Sequence, residues 1–406
     1  MAMTLSEELK WRGFVNQTTY KDLSEIDHKP PKFYHGYDGS ADSLTIGNLA
    51  AVMMDRCFIR HGAQAFGLAG GATSLVGDPG GKDSERELKS EAEVRANVAK
   101  IHKQLAHLLG PKAKMVNNLD WFRDMNVLHF LRDVGKHFSI TNLIQKDFIA
   151  TRIGKEGSGI SYAEFSYSLL QGYDFLYLFK TYGVSLQLAG SDQWGNSLSG
   201  VDLIRRVENK IVNVLTCPLI INASTGVKFG KSEQGAVWLD PEKTPVLQFY
   251  QIWINLDDKG IDSYLKVFTE LSKAEIDEVV KKHNENPARR HGQHTLARLV
   301  TELVHGEKQA ELAVSQTEQL KGSAVVDAPS DVMSIKLPSL IVDVMVDAKL
   351  SSSKSEARRL LGSGAVYLND TVTEKDSLSE SDFRGGFLRL RKGKSIANSV
   401  LLRLDS

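Results

Sequence analysis

The polar side chains Tyr167, Gln171 and Asp174 fall at i, i+4 and i+7 of an apolar run, Phe165 to Tyr182, patterned as a helix. Polar groups on a face that packs inward need partners, so this face marks a pocket. A second polar set, Ser191-Asp192-Gln193-Trp194-Gly195-Asn196, follows the strand-like Ser185 to Gly190. Open α/β sheets bind ligands at the carboxyl ends of their strands, where such a cluster would sit. A third set begins at Tyr34, His35, Gly36, Tyr37 and Asp38, continues through Ser40 and Asp42-Ser43-Leu44-Thr45-Ile46-Gly47-Asn48, and enters an apolar helix through Val52, Met53, Cys57 and Phe58. Strand, small-residue turn, then helix points backbone N–H groups and a positive dipole end at a phosphate. Gly47 lets a ligand approach the first turn without a Cβ in the way.

Two glycine-rich loops add cations. Gly77 to Arg86 carries Lys82 and Arg86, and Gly226-Val227-Lys228-Phe229-Gly230-Lys231-Ser232 carries two lysines. The second is not a phosphate-binding P-loop, because three residues rather than four separate its glycines. A loop with two lysines could instead close over a triphosphate. The dinucleotide fingerprint G-x-G-x-x-G occurs at neither early turn.

The positioning elements read as α/β. Residues 1–31 suggest a helical leader with Trp11, Phe14 and Val15 on one side. Phe33–Tyr37, Ala65–Gly70, Lys114–Asn118, Ser185–Gly190 and Leu219–Ile221 read as strands, with Gly70-Gly71-Ala72-Thr73 as a glycine turn. Glu91–Leu109 and Trp121–Phe138 read as helices, and strand–helix–strand spacing predicts a parallel βαβ unit. Phe122, Leu128, Phe130 and Leu131 exceed core needs and would suit a subunit interface. From Pro245 the pattern is helical: 246–256, 261–271, 273–283, 288–304 and 307–320, with 322–330 as a linker. A small terminal part then holds a helix marked by Leu337, Leu340, Ile341, Val344 and Met345. A capping box follows at Ser353-Lys354-Ser355-Glu356, then strands at 366–369 and 387–390. Lys354, Arg358, Arg359, Arg384, Arg389, Arg391, Lys392 and Lys394 concentrate cations there, as an RNA footprint would.

The 406 residues leave room for two or three domains. The expected division is a catalytic domain over 1–240 with a dimer-forming insertion, a helical domain with linker over 241–330, and a small α+β domain over 331–406. Fifty basic and fifty acidic residues cancel, so any polyanion site must be a local patch. Cys57 and Cys217 form no spaced set, which indicates neither a disulfide framework nor a zinc site. The polar N-terminus lacks a signal-peptide core, and no run reaches the roughly 18 apolar residues of a membrane span. A cytoplasmic setting without membrane attachment is expected.

Taken together these stretches resemble the bacterial-type tyrosyl-tRNA synthetases over essentially the full length, with an S4-like RNA-binding domain at the end. The resemblance rests on Tyr34-x-Gly36-Tyr37-Asp38, Asp42-Ser43-Leu44-x-Ile46-Gly47-Asn48-Leu49, Gly70-Gly71-Ala72-Thr73 with Gly77-Asp78-Pro79, Ser166-Tyr167-x3-Gln171-x2-Asp174, Gly190 to Asn196, and Lys228 to Ser232. It implies a Rossmann-like catalytic domain, a helical anticodon-side domain, a homodimer, and ATP-dependent activation of tyrosine followed by transfer to tRNA(Tyr). ATP with Mg2+ would be substrate, and no structural metal is implied.

By the same resemblance, Tyr34 and Asp174 would hold the substrate phenol, and Asp78, Tyr167 and Gln171 its ammonium. Gln193 would lie near the reacting carboxylate. Gly36, Asp38, Ser40, Gly47, Asn48, Gly190, Asp192 and Ile220 would bind ATP and the adenylate. Lys228, Lys231, Ser232, Lys82, Arg86 and Thr45 would act on the leaving pyrophosphate, and Lys354, Arg358 and Arg359 on RNA. One departure stands out: the family's nucleotide signature carries histidine where this chain has Thr45, and often where it has Asn48. Threonine is shorter and never cationic, so weaker pyrophosphate stabilisation is expected, with His35 a possible substitute. The competing reading is a degenerate paralogue that binds tyrosine or RNA without aminoacylating.

Overall fold

The computed structural model describes residues 3–77, 89–144, 147–153, 159–221, 229, 231–232, 235–321, 332–348, 350–369, 371–383, 387–393 and 399–404. The chain forms two compact units, Met1–Thr244 with Leu256–Leu296, and Pro245–Asn255 with Ala297–Ser406.

The first unit opens with α1 (Leu5–Arg12), capped by a reciprocal Thr4–Glu7 box and closed by Gly13 at φ +80°. The helical leader is therefore short: Phe14 and Val15 lie beyond it, and β1 (Gln17–Thr18) joins the sheet. After α2 (Glu25–His28) the chain alternates as β2 (Lys32–Asp38), α3 (Ile46–Arg60), β3 (Gln64–Gly70), α4 (Gly71–Val76), α5 (Glu91–Leu109) and β4 (Lys114–Asn117). The glycine turn expected at 70–73 is instead the start of α4. A Cβ on Gly70 would lie 2.3 Å from Thr73 Oγ1, and one on Gly71 2.3 Å from Asn117 Oδ1. These glycines serve close packing at the strand–helix junction, not a loop.

The aromatic segment is not one helix but α6 (Leu119–Phe122) and α7 (Val127–Asp133), because the Asn126 side chain accepts from Leu128 N–H and restarts the helix. Then follow α8 (Ile140–Ile144), α9 (Asp147–Ile153), α10 (Tyr162–Tyr182), β5 (Leu186–Gly190), α11 (Trp194–Glu208) and β6 (Asn213–Cys217). The last strand was expected at Leu219–Ile221. The buried run ends instead at Pro218, which has no N–H for a ladder, and Leu219 and Ile221 are exposed.

The strand order is β1-β6-β5-β2-β3-β4, parallel except for β1. Strand order reverses between β2 and β5, the switch point at which such sheets bind ligands. On one face Tyr34, Phe66, Leu68 and Val116 pack with Phe175 and Leu176 of α10 and Leu203 and Ile204 of α11. On the other, Phe33 stacks near Phe58 of α3, their ring centroids 5.3 Å apart. The period-2 alternation of β2 thus sends Tyr34 toward α10 and its neighbours Phe33 and His35 toward α3. A two-strand ribbon, β7 (Lys231–Ser232) and β8 (Gly235–Ala236), precedes α12 (Val246–Ile254), which belongs to the second unit. The first unit ends in α13 (Ile261–Phe268) and α14 (Lys273–Glu285), and α15 (His291–His305) leads the chain on.

In the second unit α12 packs with α16 (Glu307–Lys321). Beyond lie β9 (Val332–Ile335), β10 (Ser339–Leu340), α17 (Ile341–Asp347), α18 (Lys354–Gly362), β11 (Val366–Leu368), β12 (Thr371–Val372), β13 (Ser377–Leu378), β14 (Phe387–Lys392) and β15 (Ser399–Leu404). Leu337 and Leu340 fall outside α17, because Ser339–Leu340 pairs with β13 and Ile341 N–H is taken by Asp376 C=O. The five-stranded sheet runs β12-β11-β14-β15-β9 and closes over Ile341, Met345, Ala357, Leu361, Leu388 and Leu402. The linker expected at 322–330 lies outside the described residues.

Candidate active site

A cavity of about 360 Å³ opens at the β2–β5 switch point of the first unit. It brings together Tyr34, Gly36, Asp38, Thr45, Gly47, Asn48, Tyr167, Gln171, Asp174, Gly190, Asp192, Gln193 and Ile220 from five separate stretches. Ser40 stands one step back, its N–H and Oγ donating to Asp38 at 2.9 and 2.8 Å. Asp78, Lys82, Arg86 and Lys228 lie outside the described residues, and of Lys231 and Ser232 only the backbone strand is described.

One end is built around Asp174, fully buried on α10. Trp121 Nε1 and Asn118 Nδ2 donate to its two oxygens at 2.9 and 3.1 Å. Burial pushes its carboxyl up to about 7, with those two hydrogen bonds pulling the other way. Tyr34, 1% exposed, carries a hydroxyl with no hydrogen-bond partner, and burial together with the Asp174 charge holds it well above the ordinary phenol range. Gln187, paired with Tyr34 across β2 and β5, likewise keeps its side-chain oxygen unpartnered. Two orphaned buried polar atoms facing one cavity are costly unless a ligand completes them.

The other end is the first turn of α3. Thr45 N–H and Oγ1 both donate to Asn48 Oδ1 at 2.9 Å, so the two signature positions cap each other. Gly39 N–H donates to Ser74 Oγ, and that hydroxyl donates to Asp38 Oδ1 at 3.0 Å. Residues 237–239 zip antiparallel onto 44–46: Ile46 N–H bonds Val237 C=O at 3.0 Å and Leu239 N–H bonds Leu44 C=O at 2.8 Å. Asp42 bridges Lys100 and Lys243 at 2.9 and 2.7 Å, which holds its carboxyl at about 2. The lysine-bearing loop is thereby tied at its exit to the turn that would face phosphate. Its Phe229 is buried against Tyr264 and Phe268 of α13, and its carbonyl lies 3.7 Å from where a Gly47 Cβ would stand.

Sequence reasoning missed Asn118, Trp121, Gln187 and the pair His35–Asp55. Asp55 had a signal: it sits three residues from both Val52 and Phe58 on the buried face of α3, where a charge demands a partner. Asn118 follows the last residue of β4 and precedes α6, close to a strand's carboxyl end as Asp38 and Gly190 are. Trp121 and Gln187 read as ordinary core and strand residues. Among the described residues, the three-ligand group that could hold a metal is Glu8, Cys57 and His61, none of which lines the cavity.

In the second unit Lys354, Arg358 and Arg359 are exposed on α18, with Lys354 reaching Asp343 at 2.8 Å. The wider cation set thins out. Arg389 is fully buried, Lys392 pairs with Glu356 at 2.8 Å, and Arg391 stacks on Tyr367, while Arg384 and Lys394 lie outside the described residues.

A Rossmann-like sheet with a pocket of this design at its switch point is the catalytic core of a class I aminoacyl-tRNA synthetase. Residues 26–321 match the family described as tRNA synthetases class I (W and Y), and the chain belongs to that family. Residues 319–396 match the tyrosine–tRNA ligase SYY-like C-terminal domain. Among curated relatives, the tyrosine–tRNA ligase of Geobacillus kaustophilus is 42% identical over 97% of this chain and 98% of its own. That of Roseiflexus castenholzii is 41% identical over 96% and 97%. A C-terminally truncated mitochondrial tyrosyl-tRNA synthetase from Aspergillus nidulans superposes with a TM-score of 0.71 at 30% identity, covering 78% of this chain and 94% of that one.

Proposed function

We propose that this chain is a tyrosine–tRNA ligase, joining L-tyrosine to ATP as tyrosyl-adenylate with release of pyrophosphate, then passing tyrosine to tRNA(Tyr). The observation that carries the reading is the orphaned Tyr34 hydroxyl beside the buried Asp174 carboxylate, a donor and an acceptor set for one phenol hydroxyl. Phenylalanine in the same place would leave the Tyr34 hydroxyl unpaired and Asp174 without its third donor.

Tyrosine's ammonium would be taken by Tyr167 and Gln171 with Asp78, leaving its carboxylate near Gln193. That carboxylate attacks the α-phosphorus of ATP and the bond to the β-phosphate oxygen breaks. A tRNA hydroxyl then attacks the adenylate carbonyl and AMP leaves. Neither step needs a protein acid or base at the reacting atoms, so the chain contributes positioning and charge. Asp38, Ser40, Gly36, Gly47, Asn48, Gly190, Asp192 and Ile220 would hold the nucleotide, with the first turn of α3 offering N–H groups to phosphate. Lys82, Arg86, Lys228, Lys231 and Ser232 would meet the pyrophosphate. Magnesium would arrive on the ATP phosphates.

The functional division is proposed at about residues 240 and 330, with the cations of α18 (Lys354, Arg358, Arg359) contacting tRNA. A homodimer is proposed through α7 to the start of α10. Val127, Leu128, Leu131, Ile140, Ile144, Ile153 and Tyr162 are all exposed there, whereas Phe122 and Phe130 pack on Tyr173. No helix among the described residues is long and apolar enough to cross a membrane. The cytoplasm is proposed as the site of action, where tRNA and ATP are available.

The test is tyrosine-dependent exchange of pyrophosphate into ATP, with phenylalanine and tryptophan as controls. Exchange with tyrosine alone is expected. No exchange with any amino acid would leave a binding paralogue as the reading.

A further inference from the structure

Helices α10 and α11 meet along a seam of small residues. A Cβ on Gly172 would lie 3.4 Å from the Ser199 backbone, and one on Gly200 2.8 Å from the Phe175 side chain. Ser168, Gly172 and Phe175 fall at i, i+4 and i+7 of α10, and Asn196, Ser199 and Gly200 at i, i+3 and i+4 of α11, so the seam continues to Ser168 and Asn196. There Ser168 Oγ donates to Asn196 Oδ1 at 2.8 Å, and Asn196 Nδ2 donates in turn to Gln193 Oε1 at 3.3 Å. Ser168 is fully buried and Asn196 is 4% exposed. The cavity is lined by Gln193 but by neither of these two.

This chain of bonds has a direction. An amide side chain offers one oxygen and one NH2 group. The Ser168 hydroxyl takes the Asn196 oxygen, so the Asn196 nitrogen faces Gln193 and meets an oxygen there. With that oxygen turned to Asn196, what Gln193 can offer a ligand is the Nε2 donor. A carboxylate only accepts and an ammonium only donates, so this sense suits the carboxylate of an amino acid and not its ammonium. Gln193 is the N-cap of α11 yet makes no side-chain cap bond, so its amide is set by Asn196, three residues on, and not by the helix start.

We infer that Asn196 and Ser168 are positioning residues of the amino-acid site: they orient the Gln193 amide so that its nitrogen, not its oxygen, meets the substrate carboxylate. The seam of small residues brings α10 and α11 close enough for Ser168 to reach Asn196. One buried hydroxyl thereby sets the polarity of a side chain on another helix. An amide already held in the right sense loses little freedom when the carboxylate arrives.

The inference rests on the proposed contact between Gln193 and the tyrosine carboxylate, so that contact is tested first. Tyramine keeps the phenol and ammonium of tyrosine and lacks the carboxylate. Dissociation constants for both are measured by equilibrium dialysis on the full-length chain and on Gln193→Ala, Asn196→Ala and the double variant. Gln193→Ala should raise the Kd for tyrosine about tenfold and leave that for tyramine within about twofold. Equal effects on the two ligands would refute the Gln193 assignment, and the inference with it. Given a selective Gln193→Ala, Asn196→Ala should raise the tyrosine Kd roughly three- to tenfold with tyramine again within about twofold. Added to Gln193→Ala, it should change the tyrosine-to-tyramine ratio by less than about twofold, because Asn196 acts through Gln193.

A ratio within about twofold of the unaltered chain in Asn196→Ala, beside a selective Gln193→Ala, overturns the positioning role alone. So does a double variant whose effect is the product of the two singles. The space left by Asn196→Ala can loosen the seam and prevent folding. Asn196→Asp keeps the volume: one oxygen still accepts from Ser168, and the other demands a donor, which turns the Gln193 nitrogen inward and its oxygen toward the carboxylate. The tyrosine-to-tyramine ratio should then rise about tenfold or more, and the rise should fall below about twofold once Gln193→Ala is added. An unchanged ratio in Asn196→Asp, or a rise that persists without the Gln193 amide, overturns the proposal. A purely structural bond between the helices would lower stability and move both ligands equally or neither.

Discussion

Replacing Asp174 with asparagine separates what the pocket costs the fold from what it does for tyrosine. The carboxyl is raised from 3.8 to about 7 by burial. That rise of about three units corresponds to about 4 kcal/mol of strain on the folded state when the group is ionised. A folded pKa above the unfolded one stabilises the fold while the group is protonated, and the benefit is lost as pH rises from about 4 through 7. Between pH 5 and pH 8 the stability of the unaltered protein relative to Asp174→Asn should therefore fall by about 2.7 kcal/mol, whatever the constant cost of the substitution. That constant cost is real, roughly 1–3 kcal/mol, because an amide can offer oxygen to only one of the two donors, Asn118 and Trp121.

Those two donors fit the ionised form, and the substrate phenol would be the third. Tyrosine binding should then follow the ionised fraction, with Kd falling about tenfold from pH 6 to pH 8 in the unaltered protein and staying flat in Asp174→Asn. Urea unfolding midpoints at the two pH values and equilibrium dialysis of tyrosine measure both. A flat tyrosine Kd in the unaltered protein, or the same slope in the variant, would refute the assignment of the carboxylate to the phenol.

Tyr34→Phe removes a hydroxyl that has no partner within the protein, so urea midpoints should hold or rise while the preference for tyrosine over phenylalanine in exchange drops by roughly two- to tenfold. Glu8→Gln strips an acceptor shared by Arg12, Arg60 and His61; Glu8 is held at about 2, so the loss of roughly 1–3 kcal/mol should be full at pH 7 and fade below about pH 4 in unfolding experiments. Thr45→His should raise the rate of adenylate formation while lowering stability by about 1 kcal/mol through loss of the Asn48 cap, and single-turnover kinetics showing no gain would remove Thr45 from the pyrophosphate step. Leu128→Asp should weaken self-association by about a hundredfold, read as monomer by analytical ultracentrifugation, if the exposed 127–162 face is the dimer contact.

What the sequence disclosed, and what it withheld, divides along a physical line. The long periodic elements were legible: Glu91–Leu109 is α5 to the residue, and the strand–helix–strand opening is β2, α3 and β3. Periodicity reports burial of a face over many residues, which is how such elements are stabilised. The failures were local. Pro218 moved the last sheet strand, Asn126 broke a helix, and the close approach of Gly70 and Gly71 to side chains turned a supposed loop into a helix start. Of the site, polar residues at strand ends and on an inward helical face were readable because burying them needs a reason. Trp121 and Gln187 were not, since an aromatic in a helix and an amide in a strand have ample ordinary explanations; only their bonds, or lack of them, distinguish these two.

The two ends of the cavity are prepared in opposite ways. At the amino-acid end Tyr34 and Gln187 hold unpartnered polar atoms and burial raises the Asp174 carboxyl, a cost that the right ligand would relieve. At the nucleotide end the side chains are already closed: Thr45 on Asn48, Asp38 on Ser40 and Ser74, Asp42 between two lysines. Under the proposed function, selectivity among amino acids would follow from the first condition, because a wrong side chain leaves that cost in place. The second would likewise shift ATP recognition toward backbone N–H groups, the dipole of α3 and cations of the two glycine-rich loops. One of those loops leaves the site through residues 237–239, hydrogen-bonded to the turn that begins α3. Charge that develops on pyrophosphate would thus be met by a lysine loop and a helix end that share one stretch of backbone pairing, and loosening that pairing should slow adenylate formation without altering the affinity for tyrosine.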